Sequence, residues 1–318
     1  MRIAPCRIRW YTESMKIDSV SIVGLGAVGA VVASRITASL GKASVQCIAD
    51  AERKARYERD GIFINGVRQD FNYVTSEEAS PADLVIIATK NLELGEALES
   101  IRSSVGAHTA IMALCNGIQS ERDAAAVYGE DRVLYSFIIG ISSIHEKNHI
   151  RCPAEGRIVF GERDNKKTER VKAIQELFVQ AKIASKVPEN IHLELWKKFL
   201  LNVVFNTLSA LCRAPYGAFS DPVMRRLARS VANEVIAVAH AESVPLTQAM
   251  FEDTLSAIIG FDAHGKTSML QDFEAGRKSE NAWFCGTVNK LGKTHGIATP
   301  VCTLLESLVE GTEIARGI

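Results

Sequence analysis

Val20-Ser21-Ile22-Val23-Gly24-Leu25-Gly26-Ala27-Val28-Gly29 decides how the chain is read. The first four residues form a short β-branched strand. Gly-x-Gly-x-x-Gly follows at once, and a helical run continues to about Leu40. Strand, glycine turn and helix in that order are what a dinucleotide-binding fold requires. Gly24 makes the tight turn, Gly26 lets the backbone approach a pyrophosphate, and Gly29 lets the helix pack close to the strand. Leu25, Ala27 and Val28 complete the loop. The helix N-terminus offers free N–H groups and a partial positive charge to phosphates. The competing reading is a plain glycine turn, and the flanking strand and helix argue against it.

Working outward, Val45–Ile48 is a second strand, followed by Asp50. An acid there bonds a ribose 2′-hydroxyl and favours NAD; a basic residue pairs with a 2′-phosphate. Arg53, Lys54 and Arg56 follow Asp50, so the two signals conflict, and a solvated helix face explains the bases equally well. Leu84–Ala88 and Ala110–Leu114 read as buried parallel strands. They run into Thr89-Lys90 and Cys115-Asn116-Gly117, at the strand ends where doubly wound sheets bind ligands. His145-Glu146-Lys147-Asn148-His149 matches a zinc-protease pattern, but that chemistry needs a helix. The flanks are β-rich, so a turn between strands is expected and no metal. A helix over Thr168–Ala181 and a strand over Ala184–Val187 end the alternation, and Pro188 closes it.

From Asn190 onward the pattern is helical. Asn190 can cap an uninterrupted apolar helix to Leu211, in which Lys198, Asn202 and Asn206 sit four apart and share one column. Buried, such groups need partners, so the column either lines a polar cleft or consists of a snorkelling lysine and asparagines bonded to neighbouring helices. Asp221-Pro222 starts a helix to about Ala241, another covers Leu246–Ile259, and Thr299-Pro300 starts the last. Lys266–Asp272 and Gly276–Asn281 mix small polar groups with acids, a composition suited to a ligand surface. Ser268 as a cap and Glu280 as a solvated carboxylate are the plainer readings.

The 318 residues suffice for two domains: 17–188 of Rossmann type, α/β, then 189–318, all α. Residues 1–16 are expected to be an extension outside the fold, a loose arm or an upstream-start artefact. The 37 basic and 37 acidic residues cancel, which argues against a nucleic-acid partner. Apolar runs are too short for a membrane span. Seven scattered cysteines without C-x-x-C spacing suit a reducing cytoplasm.

From about Ser19 onward the chain resembles the ketopantoate reductase family (2-dehydropantoate 2-reductase). The resemblance rests on Glu194-Leu-Trp-Lys-Lys198 with Asn202 and Asn206, Cys115-Asn116-Gly117, Ser268-Met-Leu-Gln-Asp272 and His295-Gly-Ile-Ala-Thr-Pro300. It implies a Rossmann domain, a helical domain and an active site between them. Lys198 would be the catalytic lysine, and Asn116 would lie by the nicotinamide. Asn202 and Asn206 would bond the substrate, and Ser268 would hold its carboxylate. Glu280 would bind a substrate hydroxyl or the cofactor end of the cleft, and Lys90 would lie against the cofactor. The implied reaction is reduction of ketopantoate to pantoate, in pantothenate biosynthesis, with NADPH, or with NADH as the alternative. Rival readings are a paralogue acting on another 2-oxo acid and a non-catalytic NAD(P)H sensor. A homodimer is the assembly expected. The chain departs from the family pattern at Thr207, at Asn281–Gly286 and at Asp50.

Overall fold

The computed structural model describes residues 15–318. The expected extension therefore lies outside the described residues except for Met15 and Lys16, and Met15 packs against the sheet core. The strands are β1 Val20–Val23, β2 Val45–Ile48, β3 Ile62–Ile64, β4 Val67–Gln69, β5 Tyr73–Val74, β6 Ala82–Ile87, β7 Val105–Ala113, β8 Val133–Glu146, β9 His149–Gly161 and β10 Ser185–Lys186. The helices of the first half are α1 Ala27–Leu40, α2 Ala51–Asp60, α3 Leu94–Ser100, α4 Ser120–Tyr128 and α5 Glu169–Gln180. Those of the second half are α6 Ile191–Leu201, α7 Thr207–Cys212, α8 Pro222–Ala241, α9 Gln248–Ile259, α10 Ser268–Glu274, α11 Cys285–His295 and α12 Pro300–Arg316.

The strands form one sheet in the order β4-β3-β9-β8-β7-β6-β1-β2-β5, with β10 beside β9. β1, the expected nucleus, pairs in parallel with β2 and β6, and β6 pairs in parallel with β7. Alternating side chains feed two cores. Val20 and Ile22 pack with α1 and α5 on one face; Val23, Ile87 and Ala113 pack with α3 and α4 on the other. A third core, around Phe199, Phe205, Val235 and Phe251, unites the helices after Asn190 and takes in Phe137 and Val159 of the sheet.

Two glycines carry the first turn. Gly24 has φ +90°, a conformation L side chains rarely adopt. A Cβ on Gly29 would stand 1.9 Å from the Gly24 carbonyl oxygen, so only glycine allows α1 to sit this close to β1.

Three departures have plain causes. β3, β4 and β5 were not expected from sequence; each is two or three residues long, and β4 is mostly exposed with no clear apolar alternation. The strand expected over Ala184–Val187 is reduced to Ser185–Lys186. The helix expected from Asn190 to Leu211 does not keep one pitch: Asn202–Asn206 is π-helical, between α6 and α7. The expected turn at Glu146–His149 is present. These two residues pair across the β8–β9 hairpin, with Lys147 at φ 55°, so the pattern is not on a helix.

Gly29→Ala should destabilise the protein by at least about 3 kcal/mol, because the clash is with backbone that cannot yield. Gly26→Ala, whose Cβ would meet nothing within 4 Å, should melt near wild type. Thermal melts followed by circular dichroism test the pair, and equal losses would refute this account of the turn.

Candidate active site

Three loops lie at the carboxyl ends of parallel strands: Gly24–Gly29 after β1, Ala88–Asn91 after β6, and Leu114–Gly117 after β7; the last two contact the helical half. α1 begins at Gly26, which makes no side-chain capping bond. Its first N–H groups therefore lack a side-chain acceptor, and the space beside Gly26 is open. An anion such as a pyrophosphate suits this position.

Lys198 leaves α6 toward the loop after β7. Its Nζ donates to Asn116 Oδ1 at 3.1 Å and lies 5.6 Å from the centre of the Phe137 ring. The snorkelling alternative fails, since the amine turns inward to another domain's side chain. Asn116 Nδ2 donates to Glu280 Oε2 at 2.9 Å. Glu280 is buried, not solvated, and its other oxygen accepts from the backbone N–H and the side chain of Asn91. One carboxamide thus joins an amine to a carboxylate.

Asn202 and Asn206 are buried on the π-helical turn. Asn206 Nδ2 lies 3.4 Å from both Asn202 Oδ1 and the Ser268 hydroxyl. Asn202 Nδ2 is buried with no partner among the described residues, an orphan donor that an added acceptor would satisfy. Ser268 is the first residue of α10, exposed, and not its cap; Thr267 fills that role by accepting from Leu270 N–H.

The remaining expected residues are differently engaged. Asp50 caps α2 by accepting from Arg53 N–H at 2.7 Å, and its side chain pairs with that of Arg53 at 3.4 Å. Arg53 also reaches Glu93 at 3.4 Å. The conflicting acid and base therefore partly neutralise one another. Lys90 pairs with Asp272 at 3.0 Å, and Asp272 also accepts from Arg277 at 2.7 Å. Lys90 is thus an interdomain tie.

Burial pushes the Lys198 amine down to about 8, opposed by Glu280, Cys115 and Glu121. Glu121 was not singled out from sequence, where a buried acid in a helix's first turn looks like a solvated one. Burial pushes its carboxyl up to about 7, against hydrogen bonds from its own N–H, the Ser136 N–H and the Ser120 hydroxyl, and against Lys198. Asn91 was missed as well; its only signal was its place after Lys90 at a strand end.

A carboxyl held above its usual range contributes stability at low pH that is lost as pH rises through about 7. Glu121→Gln should therefore melt near wild type at pH 5 and higher than wild type at pH 8, by on the order of 2 °C. A difference that does not change with pH would contradict this.

Two family models match the chain: "Ketopantoate reductase PanE/ApbA" over residues 20–165 and "Ketopantoate reductase PanE/ApbA C terminal" over residues 190–313. A 2-dehydropantoate 2-reductase of Aquifex aeolicus is 28% identical, with 92% of this chain and 96% of the relative covered. An uncharacterized oxidoreductase, YkpB, of Bacillus subtilis is 26% identical, with 88% and 94% covered. Among solved structures, a D-mandelate dehydrogenase with NADH and anilino(oxo)acetate superposes with a TM-score of 0.84 at 21% identity, covering 94% of this chain and all of that one. At that identity the likeness concerns the fold. Both halves match one family's models in order, and the chain belongs to the ketopantoate reductase family of oxidoreductases.

Proposed function

We propose that the chain is an NAD(P)H-dependent 2-oxo acid reductase whose substrate is ketopantoate, reduced to pantoate for pantothenate biosynthesis in the cytoplasm. Residues 17–188 hold the cofactor, and residues 189–318 hold the substrate. The observation that carries this reading is the inward-turned Lys198 amine on Asn116, at the carboxyl ends of the parallel strands.

The Gly24–Gly29 loop and the start of α1 receive the pyrophosphate. A nicotinamide cofactor held there would supply the hydride for C2 of the ketone. Lys198, as ammonium, stabilises the negative charge that grows on the ketone oxygen and gives it a proton. Asn202 offers its orphan Nδ2 to the substrate, Asn206 orients it beside Ser268, and Ser268 receives the carboxylate. Asn116 holds the amine at a fixed direction from the sheet, and Glu280 supports its charge. Amides orient without adding charge, so the lysine remains the dominant cation at the reacting carbonyl.

NADPH is the cofactor we favour, with Arg53 and Lys54 near the ribose and Asp50 opposing them. A second reading, a different 2-oxo acid, is favoured by Thr207 and Asn281, which hydrogen bond to each other at 3.2 Å where the family pattern departs. A substrate panel with both cofactors separates the readings: turnover of ketopantoate supports the first, turnover only of other 2-oxo acids the second. Cofactor binding without any turnover would support a sensor instead.

Lys198→Ala should lower kcat by roughly 10²–10⁴-fold while leaving cofactor affinity near normal. In the reductive direction the wild-type rate should fall above about pH 8, as the ammonium is lost. An unchanged kcat in the variant would remove the lysine from its role. Asp50→Asn keeps the cap of α2 and removes a charge, so it should lower the KM for NADPH several-fold more than that for NADH. Equal effects on both would put Asp50 outside the ribose site.

A further inference from the structure

Asn91 is a polar residue in the site that the proposed chemistry leaves unused. It follows Lys90 at the carboxyl end of β6 and is only 3% exposed. Its backbone N–H donates to Glu280 Oε1 at 3.1 Å, and its Nδ2 donates to the same oxygen at 2.9 Å. Nδ2 also donates to the Asn116 backbone carbonyl at 2.9 Å. The second Glu280 oxygen takes Asn116 Nδ2, so donors from two sheet loops fill both oxygens of one carboxylate on the helical half.

Chemistry fixes which way the amide points. Turning it over would aim Oδ1 at a carboxylate and a carbonyl, two acceptors facing an acceptor. The orientation present leaves Oδ1 buried with no partner among the described residues, a cost accepted at this position. The preceding residue, Lys90, reaches Asp272 at 3.0 Å. Two consecutive residues of one loop thus grip two acids of the helical half.

We propose that Asn91 is the positioning residue for Glu280: its paired donors hold the carboxylate against Asn116 and so at a set distance from the Lys198 amine. This rests on the reading of Lys198 as proton donor. The largest influence that holds that amine up against burial is Glu280, and Asn91 contacts it. Loss of the Asn91 side chain frees the carboxylate to move, and the amine then loses its proton at lower pH.

The test is the pH profile of kcat/KM for reduction in wild type, N91A, E280Q and the double variant. N91A and E280Q should each move the alkaline limb to lower pH, by up to about one unit. The double variant should move it no further than E280Q alone. A uniform fall in kcat/KM with the limb in place, or shifts that add in full, would overturn the proposal. N91S, which retains a short donor, should shift the limb less than N91A, and it carries the same test if N91A does not fold. Should E280Q leave the limb unmoved, the reading of Lys198 and Glu280 fails instead. The grip of Asn91 is then measured by ligand-free melting: losses smaller in the double variant than the sum of the single losses support it, and additive losses overturn it.

Discussion

A single carboxamide at Asn116 accepts from the Lys198 amine and donates to the Glu280 carboxylate. The three groups come from a sheet loop, from α6 and from the turn before α11, which lie far apart in the chain. A hydrogen bond to a charged group contributes about 1.5–3 kcal/mol, and leaving such a group buried without a partner costs more. The two halves therefore have to meet with this carboxamide between them. Lys90 with Asp272 and Arg122 with Glu242 add ion pairs across the same boundary, but their exposed lysine and arginine ends limit what each contributes.

Burial sets the chemistry of the amine. An exposed lysine ordinarily stays charged well beyond neutral pH. Here burial lowers the amine and three acidic neighbours raise it, and burial is the larger effect. Glu121, enclosed by Ser120 and Ser136, shows the opposite response of an acid to the same surroundings. A group poised near neutral pH transfers protons more readily than one far from it.

The helix that carries the amine widens at Asn202–Asn206. π-helical turns are rare and tend to sit at functional positions, since they displace side chains from the regular face. Asn202 and Asn206 lie at the two ends of this turn, and their side chains meet each other and Ser268 there. Thr207, next in the chain, bonds Asn281, the residue after Glu280, so the asparagine column and the carboxylate turn are braced to each other.

The sequence by itself determined the strand–glycine–helix unit, the parallel strands around it and the helical second half; its resemblance to one family offered Lys198, Asn116, Asn202, Asn206, Ser268 and Glu280 as candidates. Glycine spacing, apolar runs and caps are local, and local rules reach that far. Only the tertiary structure decided the partners. That Asn116 bridges the amine and the carboxylate, that Asn91 grips Glu280, and that Lys90 is tied to Asp272 depends on residues 82 to 189 positions apart. The same holds for Asp50, which its place after the second strand offered as a ribose ligand and whose Oδ1 caps α2. The pitch change at Asn202 was hidden because an unbroken apolar run reads alike in an α-helix and a π-helix. Burial of Glu121 was hidden because a charge carries no mark of its depth until packing encloses it.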